Sequence, residues 1–93
     1  MLTFFLFGKY SETSIKEISE KRTRKVESLV NQLGGKLVSI YALLGQFDLV
    51  IIVEMPGLEK TAELSTSLYR ETGISFSTHP AIEVKTFDKL ASG

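Results

Sequence analysis

The spacing of apolar residues switches between a two-residue and a 3.6-residue period, and each switch marks an element. Leu2-Thr3-Phe4-Phe5-Leu6-Phe7, closing on Gly8-Lys9-Tyr10, reads as a first strand over residues 2–10. Ser11-Glu12-Thr13 is a turn. Ser14-Ile15-Lys16-Glu17 has capping-box spacing, a hydroxyl followed three places later by a glutamate. The spacing predicts a helix from there to about Leu33, since Ile15, Ile18, Val26, Leu29, Val30 and Leu33 share one face. Glu17 with Lys21 and Glu20 with Arg24 form i,i+4 pairs in the favourable order. Gly34-Gly35 ends the helix, because glycine takes the left-handed C′ position without a Cβ clash. A second strand follows over 36–43, with Leu37, Ser39, Tyr41 and Leu43 on one side and Val38, Ile40, Ala42 and Leu44 on the other. Gly45-Gln46 signals a short hairpin into a third strand over 47–55, which Pro56-Gly57 stops. Residues 58–72 read as a second helix, with Leu58, Ala62, Leu64, Leu68 and Tyr69 as its apolar members and Thr72-Gly73 as its close. The last strand is expected from about Ile74 to Phe87, broken near His79-Pro80 because proline cannot donate to a ladder. Asp88 to Gly93 reads as a polar tail that frays.

The order βαββαβ, with right-handed crossovers, predicts an α+β ferredoxin-like fold. It is a four-stranded antiparallel sheet, order 4-1-3-2, with both helices on one face, in a single domain over residues 1–93. The helices can cover only one side of that sheet. Yet the third strand carries Leu49, Ile51 and Val53 on one side and Val50 and Ile52 on the other, and the first sets Phe4 and Leu6 against Phe5 and Phe7. Each such side chain left in water forfeits about 1.5–3 kcal/mol, and a bare apolar face of this kind marks an interface. The expectation is a homodimer or higher homo-oligomer packed sheet to sheet as a dimeric α/β barrel.

Composition narrows the partners. Eleven basic and eleven acidic residues cancel, which argues against nucleic acid and anionic membrane, both bound chiefly through excess positive charge. The βαββαβ order is also that of an RNA-recognition motif, but residues 45–52 lack the basic and aromatic pattern of its third strand. With no cysteine, thiolate metal sites and disulfides are excluded. The opening apolar run is too short to span a bilayer and lacks a basic n-region, so a cytoplasmic location is expected. Neither a metal nor a cofactor is called for: there is no phosphate loop, no Gly-x-Ser-x-Gly and no His/Cys cluster.

Tyr41-x3-Gly45-Gln46-Phe47-Asp48, continuing to Val53-Glu54-x-Pro56, resembles the GYD domain family, named for a Gly-x-Tyr-Asp signature. The resemblance runs from Gly8-Lys9-Tyr10 through Gly34-Gly35 to Phe87, and implies a ferredoxin-like dimeric barrel without an established activity. Phe47 stands where the signature has tyrosine, so the phenolic hydroxyl is lost while ring packing is kept. The family pattern also places an arginine twelve residues before the double glycine, as Arg22 stands before Gly34. A weaker similarity runs to the effector-binding domains of Lrp/AsnC-type regulators, which set a Gly-x-x-Asp hairpin before an apolar strand and bind small molecules such as amino acids near the dimer interface. No helix-turn-helix segment accompanies it here.

Five residues are candidates for a ligand site: Arg22, Tyr41, Gln46, Asp48 and His79. Arg22 lies on an otherwise aliphatic helix line, where a guanidinium must snorkel or pair with an acid or anion. Asp48 is either a hairpin acid that accepts from backbone N–H groups or a pocket carboxylate that acts as base or anchor. His79, the single histidine, is either a bulge residue or a neutral-pH proton shuttle. Tyr41 is either core packing or a hydroxyl reaching the same end as Asp48. Lys9 and Tyr10 are expected on the rim. The reading is a homodimeric binding module with a cavity of roughly 300 Å³ or more between sheet and helices, lined by Arg22 and Asp48. The alternatives are a cofactor-free enzyme of the monooxygenase or lyase type, with Asp48 or His79 as base and Arg22 holding negative charge, and a structural subunit with a filled cavity. The catalytic residues are not identified from sequence.

Overall fold

A computed structural model describes residues Met1–Gly93. The strands are β1 (Leu2–Lys9), β2 (Lys36–Ala42), β3 (Leu49–Met55) and β4 (Ser75–Ala81), in one sheet of order β2-β3-β1-β4. Every neighbouring pair is antiparallel. Read from the other edge this is the expected 4-1-3-2. The helices are α1 (Glu20–Gln32), α2 (Leu58–Thr72) and α3 (Val84–Ser92). The core lies between the sheet and α1 and α2. Phe4, Leu6, Ile51, Val53 and Met55 of the strands meet Val26 and Val30 of α1 and Leu64 and Leu68 of α2.

α2 and its glycine terminator lie where the sequence puts them. Gly73 is left-handed (φ 74) and its N–H returns to Tyr69 O at 2.8 Å. Its buried stripe is Thr61, Leu64, Leu68 and Thr72, whereas Leu58, Ala62 and Tyr69 face outward. The two threonines are buried without penalty because each hydroxyl donates one turn back, Thr61 to Gly57 O at 2.8 Å and Thr72 to Leu68 O at 2.6 Å.

Four expectations are corrected. Ser14 does not cap the long helix. It opens a separate 3-10 turn, Ser14–Glu17, and is buried in reciprocal hydrogen bonds with Ser11 (Ser11 N to Ser14 Oγ 2.6 Å, Ser14 N to Ser11 Oγ 3.0 Å). The chain is extended at Ile18, and Ser19 is the true N-cap, accepting from Arg22 N at 3.1 Å. Glu20 and Arg24 therefore pair on α1, while Glu17 lies outside it.

Second, β2 carries a bulge between Leu37 and Ser39. One extra residue reverses the alternation. Leu37 packs against the core while Ser39 and Tyr41 stand opposite Ile52 and Val50 on the other face. Third, the β2–β3 connection is longer than a short hairpin, spanning 43–48.

Fourth, β4 does not run on to Phe87. It passes through Pro80 without a break, which an edge strand tolerates because its outer N–H positions need no partner. The chain then turns at Ile82-Glu83 into α3, none of whose residues is buried. The segment from Asp88, read as a polar tail, is helical to Ser92.

The uncovered side of the sheet is as apolar as the patterning requires. Tyr41, Val50 and Phe7 lie in one cross-strand row with Ser77, and Ser39, Ile52 and Phe5 in the next with His79. Phe47 folds over this face, its ring 5.2 Å from that of Phe7.

Candidate functional site

One cleft lies between α1 and the sheet, at the end where β1 finishes and β3 begins. Its volume is about 160 Å³, and nine of its twelve lining residues are hydrophobic. Ile40, Leu49, Ile51 and Phe76 form the sheet side; Val26, Ile18 and Ser19 form the other. Tyr10 and Arg22 supply the polar ends. It is about half the size expected, and Asp48 does not line it.

Arg22 reaches the cleft because Ser19 starts α1 three residues earlier and turns position 22 inward. Its guanidinium carbon sits 5.2 Å from the Tyr10 ring centroid, within cation–π range. Nη1 donates to Ser14 O at 2.5 Å. The side chain makes no ion pair, so donors of its fork remain free of protein carboxylates. The 3-10 turn thus presents a carbonyl that fixes Arg22, and the Tyr10 ring lies against the guanidinium.

Asp48 holds Tyr10 in place from behind. Its Oδ2 accepts from Tyr10 N at 2.8 Å, its own N–H donates to Gly8 O at 2.8 Å, and its carbonyl accepts from Leu43 N at 2.9 Å. These bonds lock the 43–48 loop to the end of β1. Lys9 adds Nζ to Gln46 O at 3.2 Å, an exposed contact. The carboxylate thus accepts from a backbone N–H 38 residues away in sequence.

The five candidates therefore fall in three places. Arg22 lines the cleft. Asp48 and Gln46 brace its end through Tyr10 and Lys9. Tyr41 and His79 lie on the opposite face of the sheet, where His79 meets the Phe7 ring edge-on at 5.5 Å and its Nε2 lies 2.9 Å from Ser77 Oγ. Of Arg22, Asp48 and His79, only Arg22 lines the cleft. Sequence reading placed Tyr10 only on the rim and missed the Ser14 carbonyl altogether. A main-chain acceptor leaves no signature in residue type.

A ferredoxin-like α+β module with one small arginine-ended cleft and one open apolar sheet face is the class this architecture defines. The family model of the GYD domain matches residues 4–91, and the chain belongs to that family. Solved structures share the fold. The Mycobacterium tuberculosis leucine response regulatory protein matches with TM-score 0.59 at 10% identity, over 88% of this chain and 51% of that one. An AsnC family transcriptional regulator from Agrobacterium tumefaciens matches with TM-score 0.59 at 17% identity, over 88% of this chain and 50% of that one. A crystal structure of a glutamate-to-alanine mutant matches with TM-score 0.66 at 11% identity, over 88% and 50%. The chain thus spans about half the length of each, and at these identities the likeness concerns the fold. No curated protein matches the chain. No helix is long and apolar enough to cross a membrane.

Proposed function

We propose that this domain is a homodimeric binding module: two copies pack open sheet face to open sheet face, and each cleft takes a small acid through Arg22. The observation that carries the ligand half is the guanidinium at the end of an apolar cleft, braced by Ser14 O and Tyr10 and paired with no carboxylate. Arginine's fork matches a carboxylate bidentately. A volume of about 160 Å³ is below the roughly 300 Å³ of drug-sized sites, and limits the ligand to a few heavy atoms, the size of a small amino acid or short organic acid. A regulator of this fold is named for a response to leucine, which puts amino acids first among the acids to try.

The test is thermal shift of the intact protein with short aliphatic acids, amino acids and the matching amides. A small acid is expected to raise Tm while its amide does not, with saturation following RT ln(1 + [L]/Kd). Arg22→Met keeps the aliphatic packing and is expected to abolish the shift. Equal shifts in Arg22→Met and wild type would remove the proposed site.

A further inference from the structure

The third helix is the feature that neither fold nor cleft uses. Val84, Phe87 and Leu90 are 71%, 55% and 70% exposed, and no residue of α3 is buried. At 100° per residue these three and Ala91 fall within an arc of about 120°, while Lys85, Asp88, Lys89 and Ser92 occupy the opposite side. The helix stands off the body. The radius of gyration is 14.0 Å, against about 12 Å for a compact chain of this length, and the longest extent is 49 Å. A helix of nine residues without tertiary packing is not self-supporting in water, where even good sequences need about 12–15 residues. Something must cover its apolar stripe.

We infer that the cover is a second copy of this chain: α3 is an exchanged arm whose Val84–Phe87–Leu90 stripe packs on the partner at the margin of the sheet-to-sheet interface. The inference rests on the dimer proposed above. Two observations select this occupant. The first is continuity. β4 ends at Ala81, which pairs with Thr3 in the same face-row sequence as Phe5 and Phe7, so the arm leaves from the border of the open face. The second is area. Four strands at about 4.8 Å spacing and about seven residues at 3.4 Å give a flat footprint of about 450 Å², which puts a sheet-to-sheet contact alone at the small end of stable interfaces. An arm about 13.5 Å long and 10 Å wide adds close to a third of that footprint on each side, and two-fold symmetry makes the exchange reciprocal. The arm leaves the sheet at the end opposite the cleft, so its removal leaves Arg22 and Tyr10 untouched.

Sedimentation velocity over a concentration series tests this with the full chain. The Phe87→Lys/Leu90→Lys double variant is expected to raise the dimer dissociation constant at least about 100-fold, with unchanged far-UV circular dichroism of the sheet. A dissociation constant equal to that of wild type overturns the exchanged arm while leaving the sheet-face dimer standing; a wild type that never dimerises overturns the dimer itself. Because the chain has no cysteine, Phe87→Cys carrying a polarity-sensitive fluorophore gives a second readout. Its emission should shift to the blue as concentration drives dimerisation. Emission that stays constant across that range, or α3-dependent pelleting with phosphatidylglycerol vesicles while the dimer constant is unaltered, overturns the inference.

Discussion

Removing the Asp48 carboxylate separates its two possible roles. In Asp48→Ala the Tyr10 N–H loses its only side-chain acceptor, a contact of 2.8 Å in a partly buried position. A hydrogen bond to a charged group contributes about 1.5–3 kcal/mol, and a stranded N–H keeps its desolvation cost. The backbone bonds of residue 48 to Gly8 and Leu43 do not depend on the side chain and should survive. The expected loss is therefore about 2–3 kcal/mol. With a urea m-value of about 1 kcal/mol/M, the midpoint falls by roughly 2–3 M. Urea melts read by circular dichroism at one fixed protein concentration give the number, since any dimerisation makes stability concentration-dependent. Asp48→Asn retains an acceptor oxygen without the charge and should lose about half as much. A change below about 0.5 kcal/mol in Asp48→Ala would refute the clamp. If Asp48→Asn held its stability but lost ligand stabilisation, the carboxylate would be a ligand anchor instead.

Other perturbations follow from the same geometry. Gly35→Ala sets a Cβ 2.8 Å from Glu54 O and against Met55 Sδ, and overpacking against backbone should cost about 1–3 kcal/mol, read as a lower urea midpoint. Leu64→Ala empties a fully buried site between helix and sheet and is expected to cost about 2–5 kcal/mol by the same melt. Ser19→Ala removes the α1 N-cap, costing about 1 kcal/mol and weakening acid binding, because Arg22 is the residue whose N–H that cap holds.

The strand order and α2 were legible because their signals are local: alternating apolar runs, a Pro-Gly stop and a left-handed glycine. α1 began late because two serines compete, and the Ser14/Glu17 spacing satisfies the cap pattern although Ser19 does the capping. The Val38 bulge was invisible, since a two-residue period carries no mark of one inserted residue, and it decided the side of the sheet that Tyr41 occupies. Ile82-x-Val84 prolongs the strand rhythm of β4, which hid the helical spacing of Val84, Phe87, Leu90 and Ala91. Arg22 could be placed on the inner helix line from periodicity. The Asp48–Tyr10 bond could not, because it joins residues 38 apart whose meeting depends on strand register.

Phe5, Phe7 and Ile52 hold the whole account on the uncovered face of the sheet, so self-association is the property to measure. Multi-angle light scattering of the intact protein at micromolar concentration should return at least twice the 10.3 kDa chain mass, falling toward one chain for a folded Phe5→Lys/Ile52→Lys variant. A wild-type mass of one chain at that concentration contradicts it.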